Sequence, residues 1–591
     1  MKIPRVLAVL FLLPVALLAG DPTFDTWVDD FSAEWMRADP MAATEAQYFS
    51  GAEQDALDRR LTPYSAAARA AQVACARAGL KRIAGFDRRQ LDAIQRVSAD
   101  MLAWQLDTVV RRDAFTDQVF VFNQFDGVQR ELVDGLSQTH PIRNRRDIEN
   151  YLARLGQVAG YMDGARAQAQ DRGARGFLPP KFILTATLAQ FDRFLEGGAE
   201  KNILVTSLDE RAGLLKELPA ADRAAFVATA TGIVRDAVLP AFAQVHALLN
   251  SQLATATEDA GLWRLPGGRE AYVTALRHYT TTDLSPEKIH EIGLAEVARI
   301  EAKMEGLFVS LGYKEGSIKE RYDRLNQDLQ PPADPDPRPA LLARHEEILA
   351  DAVQRSESLF DLRPAAPCVV RRIPPFSESN SANHYTTPAK DGTRPGTFWA
   401  NLAGPVYRIP YMRTLTYHEG IPGHHFQIAL QQEQAELPRF RRDRIFGFIS
   451  AHGEGWALYS EQLAAENNWY EGDPVGLIGQ LEAELFRARR LVVDTGLHTM
   501  KWTRQQAIDY GILPREVDRY VAAPGQACSY KIGMIRILEL REKARQALGD
   551  RFVLKEFHNA VLRAGTVPLA VLETVIDDHI AARQGRHVAR Y

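Results

Sequence analysis

Pro422 and Gly423 stand between two pairs of ionisable residues, His418-Glu419 and His424-His425, and they decide what this stretch can fold into. On an unbroken helix the sixth residue along sits roughly 120° off the face of the first, and the seventh lies roughly 10 Å further along the axis. Imidazoles that share an ion must each bring a nitrogen to about 2 Å from it, so a regular helix joins His418 to neither histidine. Proline removes an i to i−4 bond and glycine allows dihedrals closed to other residues. Pro-Gly therefore reads as a two-residue bulge that folds His424 back toward His418, with His425 as the alternative.

The residue types point to one chemistry. His418, one of the two later histidines, and Glu454 from Gly453-Glu454-Gly455 make two nitrogen ligands and one oxygen ligand. With a coordination position left open, that is a known set for a single catalytic Zn2+ ion. Glu419 follows the first ligand directly and is placed to act as general base on a water at the ion. Apolar Leu415, Ile421 and Phe426 flank the group, as expected for a site rather than a solvated face. His452, Glu461 and Glu466 are the rivals of Glu454 for the third position.

At 591 residues the chain can bury a large core or several subdomains. Its 71 Lys+Arg against 75 Asp+Glu leave no basic excess, so no nucleic-acid partner is expected. Lys2 and Arg5 precede an apolar run over 6–19 and then Gly20 and Asp21, the layout of a secretory signal. This predicts a signal peptide over 1–20 and export across the inner membrane to a periplasm. The run is short for a membrane span, no later stretch reads as one, and no cysteine at the cleavage zone offers lipid attachment. Cys75, Cys368 and Cys528 allow one disulfide and lack metal-ligand spacing.

Helical periodicity dominates from residue 23 to about 260, for example over 151–162 and 241–249, with Pro240 suited to a first turn. A boundary falls near 262–280, giving an N-terminal helical region (21–270) and a C-terminal catalytic region (271–591) that together form one unit around a cleft. Five prolines between 331 and 339 mark a surface excursion, and helix resumes over 341–362. Segments 369–373 and 396–402 are the strand candidates, separated by polar turns; an exposed edge there would suit an extended peptide. Helices are then expected over 445–465, 481–498, 530–548 and 569–584. The fold class is mainly α with a small sheet beside the metal helix.

The blocks 418–427 and 453–459, Val493-Asp494-Thr495-Gly496-Leu497-His498 with Trp502-Thr503, and Pro524-Gly525-Gln526-Ala527 with Ser529-Tyr530-Lys531 resemble the bacterial DUF885 family, a distant branch of the gluzincin-type metallopeptidases. The resemblance implies a multi-helical zinc-metallopeptidase-like fold with a deep cleft. It also implies two His and one Glu as ligands, the motif Glu as base, and a downstream Tyr or His as oxyanion donor. His418, Glu419 and Glu454 carry over directly.

The expected reaction is zinc-dependent hydrolysis of short peptides. Tyr530 is the first choice for the donor that stabilises the tetrahedral oxygen, and His558 the second. Asp494 and His498, four apart, read either as a pair orienting a metal ligand or as a tie between helices. A metal-dependent hydrolase of a non-peptide amide or ester, or an exported binding protein on an inactive scaffold, are the other readings.

Overall fold

The computed structural model describes residues 20–378 and 381–585; the expected signal peptide lies outside the described residues except for Gly20. The chain is mainly helical with one three-stranded sheet. Three apolar cores are the largest of five among the described residues. One lies within residues 61–249. A second joins Phe120, Tyr272 and Ile289 to Leu491, Leu497 and Tyr520. The third joins Phe24, Phe31 and Leu106 from the start of the chain to Phe398, Trp456 and Ile576.

Several predicted elements differ in detail. The periodic stretch 151–162 divides into helices Arg145–Leu155 and Val158–Ala174, interrupted at Gly156 and Gln157. Helix Arg338–Ser356 stops short of Leu362. Pro240 opens no isolated helix: a π-turn over Val234–Val238 precedes it within a continuous helical run, and such turns absorb the missing N–H. That run, Ala220–Leu253, is by length and composition the one stretch among the described residues apolar enough to cross a membrane. It instead buries Val234, Val238, Phe242, Val245 and Leu249 in the N-terminal core.

Strands β1 (Cys368–Arg372), β2 (His384–Thr386) and β3 (Gly396–Ala400) form a sheet of order β1-β3-β2, with β1 parallel and β2 antiparallel to β3. β2 falls where polar turns were expected. It is three residues long, too short for an alternating pattern, and is held in part by Trp399 Nε1 donating to Thr386 Oγ1 at 2.9 Å.

The site is carried by α1 (Met412–Glu419), α2 (His424–Glu433), α3 (Ser450–Glu466), α4 (Pro474–Thr499) and α5 (Ser529–Leu548). α4 begins earlier than its apolar pattern, where the Asp473 side chain caps Gly476 N and Pro474 occupies the first turn. It packs along helix Pro286–Ser310. α3 and α5 cross at glycines: a Cβ on Gly533 would stand 1.8 Å from Ala451 O, and one on Gly455 2.6 Å from Gly533 Cα. Only glycine permits this backbone contact, which sets the depth of α3 beside Glu454.

Candidate metal centre

α1 ends at Glu419 and α2 begins at His424, so helix stops just where the Pro-Gly pair predicts. The linking segment doubles back: Gly423 N donates to Tyr417 O at 3.0 Å. A Cβ on Gly423 would lie 2.0 Å from His418 O and 2.4 Å from Tyr417 O, so a side chain there would push the two histidine segments apart. α3 holds the bulge from one side, where Trp456 Nε1 and Ser460 Oγ both donate to Pro422 O, at 2.9 and 3.1 Å.

The result is a triangle. His418 and His424 have ring centroids 4.8 Å apart, and their Nε2 atoms stand 3.7 and 3.4 Å from Glu454 Oε2. One donor atom from each of the three residues lies within 4.8 Å of the others. Ligands about 2 Å from a tetrahedral ion are separated by about 3.3 Å, so the donor set fits a zinc-sized cation. Glu461, seven residues after Glu454 and on the same face of α3, receives His418 Nδ1 at 2.7 Å. In the neutral ring this keeps the hydrogen on Nδ1 and leaves Nε2 as the nitrogen that faces the cluster.

The electrostatics favour positive charge at the centre. Burial lowers the His418 imidazole, but the Glu454 carboxylate, the bond to Glu461 and the nearby Glu419 charge hold it well above its ordinary value. Burial raises the Glu454 carboxyl, but His424 and His418 pull it well below the usual range.

Glu419 is 7% exposed. Its charge is felt by Cys368 at the start of β1, whose thiol is pushed to about 12 by burial first, despite a backbone bond from the Phe398 region, and by Glu419 in addition. It has no hydrogen bond or ion pair among the described residues. Both of its carboxylate oxygens keep contact with solvent, so the acid is enclosed but reachable beside the cluster.

His425 turns away from the triangle. Its Nε2 faces Ala366 O at 3.1 Å and its Nδ1 faces the Tyr385 hydroxyl at 2.9 Å. The network assigns Nε2 as donor and Nδ1 as acceptor, so neither nitrogen is left for an ion. Burial lowers this imidazole to about 4, leaving it neutral near pH 7.

His558 is not brought to the cluster. It is fully buried, its Nδ1 donates to Leu359 O and its Nε2 accepts from the Tyr459 hydroxyl, both at 2.8 Å. Stacked on Phe360, it has no hydrogen to offer an oxyanion. Tyr530 opens α5 one turn before the Gly533 contact with α3. Its hydroxyl lies 3.5 Å from Arg519 Nη2, and its ring 4.7 Å from the Arg490 guanidinium.

Asp494 and His498 do not bond to each other. Asp494 receives the Tyr272 hydroxyl and Gly525 N, while His498 receives Leu262 N and donates to Tyr520 O. They tie α4 to neighbouring segments, and the carboxylate that bonds a histidine of the cluster is Glu461. The sequence signal for it is its i+7 spacing from Glu454.

The crystal structure described as that of "the putative lipoprotein from Colwellia psychrerythraea" matches at 31% identity over 94% of this chain and 99% of that one, with a TM-score of 0.84. A "putative lipoprotein of unknown function from Shewanella oneidensis" matches at 18% identity over 94% and 100%, with a TM-score of 0.71, a likeness of fold alone. No curated protein matches. The family model described as "Bacterial protein of unknown function (DUF885)" spans residues 40–576, and with that match and the Colwellia relative the chain belongs to the DUF885 family.

Proposed function

We propose that the chain is an exported, zinc-dependent hydrolase of short peptides, in which His418, His424 and Glu454 hold one ion and Glu419 is the general base. One observation carries this reading: one donor atom each from His418, His424 and Glu454 converge within 4.8 Å, beside the nearly enclosed Glu419, whose carboxylate has no hydrogen bond among the described residues. Zinc bound there would polarise a carbonyl and acidify water. Glu419 accepts the proton of the attacking water and delivers it to the leaving amine. Tyr530 donates its O–H to the oxygen on which charge develops. Glu461 holds His418 in its ligating orientation throughout. The outer edge of β1, the strand that begins at Cys368 beside Glu419, offers backbone groups to an extended substrate. The apolar run over 6–19 and the description of the Colwellia relative as a putative lipoprotein support export.

A hydrolase of a non-peptide amide or ester would use the same residues, and the relatives' descriptions name no substrate. An exported binding protein would keep the ligands but have no use for Glu419. Zinc content of the purified protein, beside His418→Ala, His424→Ala, Glu454→Ala and His425→Ala, is the first test. Near-stoichiometric zinc lost in the first three variants and kept in the fourth is expected. A panel of peptides, simple amides and esters follows, with Glu419→Gln retaining zinc and losing about 10²–10⁴-fold in rate. Absence of tightly held zinc in the wild type would overturn the reading. Zinc without hydrolysis of any panel member would leave the binding protein, and cleavage of non-peptides alone the alternative hydrolase.

A further inference from the structure

The first glycine of Gly453-Glu454-Gly455 has a close approach of its own. A Cβ there would stand 2.1 Å from Phe448 Cζ and 2.6 Å from Phe448 Cε2, so the ring lies against the backbone of α3 one residue before Glu454. Consecutive Cα atoms are about 3.8 Å apart, which brings the tip of the ring within about 8 Å of Glu454 Cα. Ser460, seven residues after Gly453 and on the same face of α3, donates with Trp456 to Pro422 O in the turn between the two histidines. The ring therefore flanks the helix face that supports the triangle.

Phe448 is nevertheless 39% exposed. The apolar residues around it are not: Ile449 belongs to the core, and Ile445 and Phe446 pack against it. The turn that presents the ring is held at several points. Gly447 takes a φ of +101°, which side chains rarely adopt, and its carbonyl accepts from Gln105 Nε2 at 3.2 Å. Arg444 donates to Thr387 Oγ1 at 3.4 Å, and its guanidinium stands 5.9 Å from the centre of the Phe448 ring. A lone exposed apolar residue is ordinary. One seated against a glycine beside a candidate metal ligand, on a turn that buries its neighbours, is a built surface.

The same segment reaches the other parts of the centre. Ser450, two residues after Phe448, shares a hydrogen bond of 2.8 Å with Ser529, which immediately precedes Tyr530. Thr387, the partner of Arg444, follows β2, whose Tyr385 faces His425, the neighbour of His424. Phe448 thus stands among Glu454, the start of α5 and the end of β2.

We propose that Phe448 is a specificity-determining residue of the centre. Its ring takes the side chain of one of the two residues that flank the cleaved bond, so the substrates are short peptides with a bulky apolar residue at that position. The assignment rests on the reading of the metal centre as a peptidase site and names the substrate class for it. An apolar side chain laid on the ring removes both surfaces from water. A polar side chain of the same size finds no hydrogen-bonding partner on the ring.

Binding separates this inference from the one it rests on. The full-length chain carrying Glu419→Gln, loaded with zinc, is titrated calorimetrically with four N-acetylated tetrapeptide amides. Their two central residues are leucine-alanine, asparagine-alanine, alanine-leucine or alanine-asparagine, leucine and asparagine being similar in size. The leucine peptide is expected to bind about tenfold more tightly than its asparagine counterpart at one of the two positions. Phe448→Ala added to Glu419→Gln should bring that ratio close to one with zinc content unchanged. Phe448→Leu, which keeps an apolar surface, should retain most of it. Phe448→Gln, which fills more of the space over Gly453, serves the same test should the alanine variant lose zinc. Equal affinity for leucine and asparagine at both positions would overturn the subsite. A leucine preference that survives both Phe448→Ala and Phe448→Gln would overturn its assignment to Phe448. Hydrolysis by the wild type is followed beside the titrations. A leucine preference that depends on Phe448, in a chain whose wild type cleaves no peptide, would sink the peptidase reading and leave the apolar subsite in place.

Discussion

Two pairs of ionisable residues in this molecule reverse what their spacing suggests. Asp494 and His498 sit four apart on the unbroken helix α4, where side chains are neighbours, yet each finds its partners on other segments. His418 and His424 sit six apart, a spacing that points them away from each other on a helix, yet their rings lie 4.8 Å apart. The difference lies in the backbone between them. A regular helix gives neighbours but leaves the choice of partner to the packing around it. A chain that stops, doubles back on Tyr417 O and restarts builds the pair itself, and then needs outside help only to hold the turn, here from Trp456 and Ser460.

The strongest way to break this comparison is Gly423→Ala. The added methyl would lie 2.0 Å from His418 O, a backbone atom that cannot rotate away, so the two helical segments must separate. Overpacking of this kind costs typically 1–3 kcal/mol, and a contact this close with backbone on two sides belongs at the upper end. Zinc binding is expected to disappear altogether, since the triangle's separations of 3.4–3.7 Å tolerate little displacement. A Gly423→Ala protein that binds zinc as the wild type does, measured by equilibrium dialysis against a chelator, would show that the turn does not hold the triangle.

The α4 pair should respond in the opposite sense. Burial pushes the Asp494 carboxyl up to about 7, even though Tyr272 and Gly525 donate to it. A group that binds its proton more tightly folded than unfolded favours the folded state fully below the unfolded value, near 4. That advantage is lost as pH rises toward 7. Asp494→Asn cannot ionise, so its thermal stability relative to wild type should climb between pH 4 and pH 7, by at most about 1.4 kcal/mol for each pH unit crossed. Zinc content should stay at the wild-type level. Calorimetric scans of both proteins across that range check it, and a constant difference would remove Asp494 from the pH dependence. Loss of zinc in the variant would return this pair to the metal centre.

The comparison also explains what could be read from the sequence. Pro422-Gly423 announced a break because proline and glycine act through local sterics, and the break is where they stand. Glu454 was legible because its glycine neighbours mark a close helix crossing, and Gly455 meets Gly533 in that way. His424 could be preferred to His425 only as an expectation, because the two differ in the direction of one residue on a new helix. What sends His425 elsewhere is Tyr385 on a three-residue strand, too short to leave a pattern. The arginines of α4 were visible only as residues on a helix. That Arg490 pairs with Glu516 and Arg489 with Glu301, while Arg487 makes no ion pair among the described residues, depends on which segments pack against them, and no local spacing encodes that.

The smallest effects come from the residues that orient the triangle without being part of it. Glu461→Gln keeps the volume and a hydrogen-bonding oxygen but removes the charge that faces His418 Nδ1. Replacing such an outer partner typically weakens metal binding 10–100-fold, so zinc should remain bound at saturating concentration while its dissociation constant rises by that factor. Tyr385→Phe removes the hydroxyl facing His425 Nδ1 and leaves a buried acceptor unpaired, at a cost of about 1–3 kcal/mol in stability. Zinc affinity should not change, because His425 has no nitrogen aimed at the ion. A competition titration with a chromophoric chelator distinguishes the two variants directly. Equal zinc affinity in Glu461→Gln and wild type would reduce Glu461 to a packing residue, and a weakened Tyr385→Phe would mean that the β2 strand, through His425, bears on where α2 places His424.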